Sequence, residues 1–265
     1  MFFMRCKTSI GLILMVGIGV LAGFAPLKAQ DLPDHKVRIV LVGDSTVTDK
    51  AGWGLGFKQY LTDRAECINT AAGGRSSKSF IQENRWAGAL ELKGDYYLIQ
   101  FGHNDEPNKG DPSTDPAIPF RDYMTRYVDH ARAIGAKPIL VTSLSRRPWD
   151  KSGNGKINSS LVPYVEAVKE IAREKNVPLV DLHAGSIKLC EQLGKEKCIE
   201  LSPVKDDNQV DNTHLNSKGS LVFARLVVEG LTGILPELKP CFRDKPAAET
   251  EMMPQKIFDV RQFGA

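Results

Sequence analysis

The sequence predicts an α/β fold, a three-layer α/β/α sandwich on a parallel sheet, and three observations carry that prediction. Short apolar runs rich in β-branched and aromatic residues recur along the chain. Segments with helical apolar spacing separate them. Strands alternating with helices form parallel βαβ units, whose ligands sit outside the carboxyl ends of the strands.

The chain begins MFFMRCK, continues through an apolar run from Thr8 to Phe24, and reaches Ala-Pro-Leu-Lys-Ala-Gln. This is the basic, apolar and small-residue order of an export signal, with cleavage expected after Ala29. The run is at the short end of a membrane span and no stop-transfer pattern follows, so residues 1–29 read as a cleaved signal peptide. The expectation is a protein of the periplasm or the medium, free of the membrane after cleavage.

The strand runs are Val37 to Val42, Cys67 to Asn69, Tyr96 to Phe101, Pro138 to Thr142 and Pro178 to Leu182. A helix is expected over Trp53 to Leu61. In Phe120 to Ile134 the residues Phe120, Met124, Tyr127, Val128, Ala131 and Ile134 share one helical face, and Gly135 supplies a stop. A further helix runs from about Ser159 to Lys175, ended by Asn176 and Pro178, and another begins near Ser217.

One domain is expected over residues 33–242. After Cys241 the composition shifts to RDKPAAETEMMPQK, a linker-like stretch. Residues 243–265 are therefore expected to be a linker or tail. The closing IFDVRQFGA resembles the opening of the β-helix domains of polygalacturonases and pectin lyases, so this tail is either the start of a second, truncated domain or a docked terminal segment.

The whole chain carries a net charge of +3. Arg5, Lys7 and Lys28 lie in the signal and no acid does, so the mature protein is near neutral. Neither a nucleic-acid footprint nor a membrane-seeking basic patch is indicated, because both need clustered excess Lys and Arg. About 235 residues remain, enough for one well-cored domain. A monomer is expected.

Cys6 leaves with the signal, and Cys67, Cys190, Cys198 and Cys241 remain in a compartment that permits oxidation. Cys190 and Cys198 are the favoured bridge, while Cys67, in an apolar stretch, reads equally as a buried thiol. The cysteines lack CxxC spacing and a clustered His, so no zinc site is expected.

Gly43-Asp44-Ser45-Thr46-Val47 follows the first strand and places Ser45 in the expected crevice. If the next helix starts close by, its N-terminal N–H groups would favour an oxyanion. No G-x-S-x-G elbow occurs, which disfavours the α/β-hydrolase form of a serine esterase. Asp211-Asn212-Thr213-His214 precedes the last helix, and its spacing lets the carboxylate meet the imidazole Nδ1–H, leaving Nε2 as base. Gly73-Gly74-Arg75-Ser76-Ser77 and Gly102-His103-Asn104-Asp105 follow the second and third strands. A Gly N–H and an Asn amide there are donors of the kind an acyl-transfer oxyanion requires.

Taken together and in this order, the four blocks resemble those of the SGNH, or GDSL, hydrolases, from Val37 to about Leu231. GDSTV, GGRSSKSF and SLSRRPWDKSG are similar to the rhamnogalacturonan acetylesterases within that family. The resemblance implies a flavodoxin-like sandwich of five parallel strands and no metal or organic cofactor. It assigns Ser45 as nucleophile, Asp211 and His214 as its partners, and Ser45, Gly74 and Asn104 as the oxyanion hole. The implied substrate is an acetylated pectic polysaccharide, with acetylated xylan or a longer acyl ester as alternatives, and a non-catalytic carbohydrate-binding domain as the rival that every filled catalytic role disfavours. Arg75, Lys78, Arg146 and Arg147 are candidates to pair with galacturonate carboxylates, and Trp53 and Trp149 to stack on sugar rings.

Overall fold

The computed structural model describes residues 32–153 and 155–247. The expected signal peptide and residues 248–265 of the expected tail, including IFDVRQFGA, lie outside the described residues. In chain order the elements are β1 (Val37–Gly43), α1 (Gly54–Gln59), β2 (Ala65–Asn69), α2 (Ser77–Gln82), α3 (Arg85–Glu91), β3 (Tyr96–Gln100) and α4 (Pro119–Ala133). They continue with β4 (Lys137–Val141), α5 (Val162–Glu174), β5 (Leu179–Val180), α6 (Leu182–Leu193), α7 (Lys195–Ile199), α8 (Ser217–Ile234) and a 3-10 turn at Pro236–Cys241.

All five strands pair in parallel in the order β2-β1-β3-β4-β5, the flavodoxin-like arrangement the resemblance implies. Both faces of the sheet are covered, so the central strands β1 and β3 are apolar but for Arg38 and Gln100 rather than alternating, and every residue of β3 is buried. Ile39, Leu41 and Leu98 enter one core with Phe57 of α1, Leu189 of α6 and Phe223 of α8. Their neighbours Val40, Val42, Tyr97 and Ile99 enter the other core, with Phe80, Trp86, Met124, Tyr127 and Val168 of α2 to α5. The two-residue period of a strand divides the apolar side chains between these layers.

Five elements between the expected ones were not anticipated: α2, α3, α6, α7 and the 3-10 turn. Helix α2 has six residues, too few for a helical period to emerge, although Ser76 and Ser79 form a reciprocal capping box at its start. The run Pro178 to Leu182 contributes only Leu179 and Val180 to the sheet, because Asp181 leaves the strand to cap α6, accepting from the Ala184 N–H. The domain also continues past Phe242: the Arg243 N–H donates to Tyr60 O (2.8 Å) and the Ala247 N–H to Gln59 O (2.9 Å).

Cys190 and Cys198 form a disulfide, as expected, joining α6 to α7. Cys67 and Cys241 are free thiols, and burial pushes the Cys67 thiol up to about 12. No helix among the described residues is long and apolar enough to cross a membrane.

Candidate active site

In the order β2-β1-β3 the chain leaves β1 toward opposite sides for its next two strands, which opens a crevice at the carboxyl end of the sheet. Ser45 stands directly beyond β1. Gly43, the last residue of that strand, is required by close packing: a Cβ there would lie 2.5 Å from Val47 Cγ2 and 2.6 Å from Gln100 O. Ser45 occupies a tight turn in which the Val47 N–H donates to Asp44 O and the Thr48 N–H to Ser45 O. Helix α1 begins only at Gly54, within the expected stretch, so the condition under which its N-terminal N–H groups would serve Ser45 is not met. The glycines at 52, 54 and 56 let this stretch pack closely: a Cβ would lie 2.1 Å from Thr46 O at Gly52, 2.3 Å from Val47 O at Gly54 and 2.2 Å from Ser220 O at Gly56.

Beneath Ser45 is a buried polar chain. The Trp53 indole N–H donates to Gln100 Oε1 (3.0 Å), the Gln100 amide to Thr46 Oγ1 (2.7 Å), and the Thr46 hydroxyl and N–H to Asp44 Oδ1 (2.7 and 2.8 Å). Burial raises the Asp44 carboxyl, but His103, 3.4 Å away, and the Thr46 hydrogen bonds outweigh it and hold the group below its ordinary range. Trp53 is wholly buried, so the expectation that it stacks on a sugar is corrected: it braces the nucleophile turn from within the core.

The loop before α8 supplies the acid/base pair. His214 Nε2 is 2.8 Å from Ser45 Oγ, and His214 Nδ1 is 2.8 Å from Asp211 Oδ2. The other carboxylate oxygen, Oδ1, accepts from the N–H groups of Thr213 (2.8 Å) and His214 (3.0 Å). Partial burial opposes ionisation of Asp211, yet these hydrogen bonds from ring and backbone prevail and hold it at about 2. The Leu215 N–H donates to Ala51 O (2.9 Å), tying this loop to the segment after Ser45.

Two further loops border Ser45. A Cβ on Gly73 would lie 3.6 Å from Ser45 Cβ, so the β2–α2 loop runs alongside the hydroxyl. Gly74 adopts φ +77°, a left-handed conformation natural to glycine. Among the described residues the N–H groups of Ser45 and Gly74 donate to no acceptor. The Asn104 amide donates to Arg75 O (3.0 Å), which binds the β3–α4 loop to the Gly74 loop.

Asp105 and Ser77 reinforce that junction, a role absent from the sequence reading. The Asp105 carboxylate accepts from the Ser77 N–H (3.1 Å) and from the Ser77 and Thr114 hydroxyls (2.5 and 2.8 Å). Burial dominates there and lifts the carboxyl to about 6.

The expected substrate cations are differently placed. Arg75 pairs with Glu83 (3.0 Å) and donates to Gly73 O, and Lys78 pairs with Asp111 (3.1 Å). Arg146 pairs with Glu106 (2.6 Å) and donates to Thr213 Oγ1 and His103 O. Arg147 is 1% exposed, which corrects its reading as a substrate contact. Trp149 is half-buried and packs on the core containing α8. Among the described residues no cluster of three or more His, Cys, Asp or Glu groups could hold a metal.

An aligned carboxylate, imidazole and hydroxyl beside two free N–H groups can carry out acyl transfer. Comparisons with known proteins agree with that chemistry. Residues 41–221 match the model of the GDSL-like lipase/acylhydrolase family. The rhamnogalacturonan acetylesterase RhgT of Bacillus subtilis (strain 168) is 39% identical over 212 residues, 74% of this chain and 89% of that protein. The probable rhamnogalacturonan acetylesterase YesY of the same organism is 35% identical, over 73% of this chain and 91% of its own. Among solved structures, the Bacillus subtilis protein YXIM superposes with a TM-score of 0.65 at 27% identity, covering 75% of this chain and 56% of that one. An acetylxylan esterase, Axe2 of Geobacillus stearothermophilus, shares the fold at 16% identity and a TM-score of 0.57, over 74% and 94% of the two chains. With the family model spanning most of the chain and the hydroxyl, imidazole and carboxylate brought into line, the chain belongs to the GDSL-like lipase/acylhydrolase family and is a carboxylic ester hydrolase.

Proposed function

We propose that this protein is an exported esterase that removes O-acetyl groups from rhamnogalacturonan through an acetyl-enzyme formed on Ser45. The 2.8 Å contact between Ser45 Oγ and His214 Nε2, with Asp211 behind the imidazole, is the observation that carries the mechanism. Its relatives among the rhamnogalacturonan acetylesterases support the substrate, and the export signal at the N-terminus supports secretion to the periplasm or the medium.

His214 Nε2 takes the Ser45 proton as Oγ attacks the acetyl carbonyl. The Ser45 and Gly74 N–H groups and the Asn104 amide receive the oxyanion. His214 then returns the proton to the departing sugar hydroxyl, and the C–O bond to the sugar breaks. Water, deprotonated by the same imidazole, attacks the acetyl-enzyme and releases acetate and free Ser45. Asp211 remains ionised throughout and holds the imidazole tautomer that leaves Nε2 free as base.

The test is acetate release from acetylated rhamnogalacturonan, acetylated xylan and p-nitrophenyl acetate by wild type and Ser45→Ala. Preferential release from rhamnogalacturonan that disappears with Ser45 supports the full proposal. Release from the aryl ester alone keeps the esterase and removes the pectic substrate, and a fully active Ser45→Ala protein removes the nucleophile.

A further inference from the structure

Arg147 combines deep burial with an unusual set of partners. Its guanidinium is 1% exposed and pairs with no carboxylate among the described residues. The donors go to His214 O (2.6 Å), Asp211 O (3.4 Å), Thr213 O (3.5 Å) and Ser145 O (3.4 Å), and to the Ser202 hydroxyl (3.1 Å). Its own backbone N–H donates to Asn212 O (2.8 Å). One residue thus binds a main-chain carbonyl from each of the four positions Asp211 to His214. The Phe223 ring, 5.7 Å from the guanidinium carbon, closes the other side.

A buried cation with no carboxylate in contact is costly, the nearby Asp211 charge only partly offsetting the loss of water, and a methionine could fill a comparable space against Phe223 at no such cost. What the guanidinium adds over an apolar side chain is a rigid fork of donors, and three of its five acceptors lie on the loop that carries the acid/base pair. From this convergence we infer that Arg147 is a positioning residue: it fixes the Asp211–His214 loop from behind and so sets the aim of the imidazole at Ser45. The inference rests on the reading of Ser45, His214 and Asp211 given above. It assigns Arg147 to the turnover step and not to substrate contact, since no face of the side chain reaches the crevice.

The experiment compares wild type, Arg147→Met and Arg147→Lys with p-nitrophenyl acetate, measuring kcat and KM separately on protein shown to be folded by circular dichroism. A misaimed imidazole is expected to lower kcat in the folded Met variant by about 10- to 100-fold, with KM within about twofold. The Lys variant keeps the charge but reaches fewer carbonyls, and is expected to fall between the two. A folded Met variant with wild-type kcat overturns the inference. If the Met variant does not fold, a Lys variant with wild-type kcat overturns it equally. In either case Ser45→Ala still reports separately on the nucleophile, so the two readings fail independently.

Discussion

Ser45 Oγ and His214 Nε2 lie 2.8 Å apart although 169 positions separate them in the chain. The contact exists because β1 delivers the serine to the carboxyl end of the sheet, while the Leu215 to Ala51 hydrogen bond draws the α8 loop over it.

The Asp211 carboxyl is held at about 2, depressed from 3.8 by the His214 and Thr213 hydrogen bonds. A depressed carboxylate contributes its interaction fully above its unfolded value and loses it only as pH falls through the folded one. The stability lost in Asp211→Asn is therefore expected to be independent of pH above about 4 and to shrink only below it, as denaturant unfolding across that range measures. Asp211→Asn is expected to lower kcat by about 10⁴-fold, because an amide no longer enforces the tautomer.

Asn104 donates one amide N–H to Arg75 O, which leaves the second available to a developing oxyanion. Asn104→Ala is expected to lower kcat by about 10²- to 10³-fold with a small change in KM. A loss confined to KM would place the amide in ground-state binding.

Trp53 is buried and donates to Gln100. Trp53→Phe keeps most of the ring but strands Gln100 Oε1, and is expected to cost about 1–3 kcal/mol of stability. Denaturant unfolding measures this. A change in KM for polysaccharide without loss of stability would return the residue to the substrate.

Burial lifts the Asp105 carboxyl from 3.8 to about 6, against the pull of the Ser77 and Thr114 hydrogen bonds. With the folded value raised, the folded state binds the extra proton. The contribution is therefore fully present below about pH 4 and is lost as pH rises through 6, a change of roughly 3 kcal/mol. Asp105→Asn does not titrate, so melting temperatures measured from pH 4 to 7 are expected to shift in favour of the variant as pH rises. A difference independent of pH would refute the elevated carboxyl.

By itself the sequence determined the α/β class, the five strands and the helices α4, α5 and α8, and favoured without fixing the Cys190–Cys198 bridge, because periods of 2 and 3.6 and short-range spacing are local properties. It also marked Ser45, Asp211 and His214, whose residue types and places after strands or before a helix are local too. The short helices α2, α3 and α7 escaped because five to seven residues cannot display a helical period. Only the tertiary structure decided what Trp53, Arg146 and Arg147 do. Their chemistry suits either a substrate or a neighbour, and the choice depends on which groups the fold packs around them: Gln100 for Trp53, Glu106 for Arg146, and the carbonyls of the catalytic loop for Arg147.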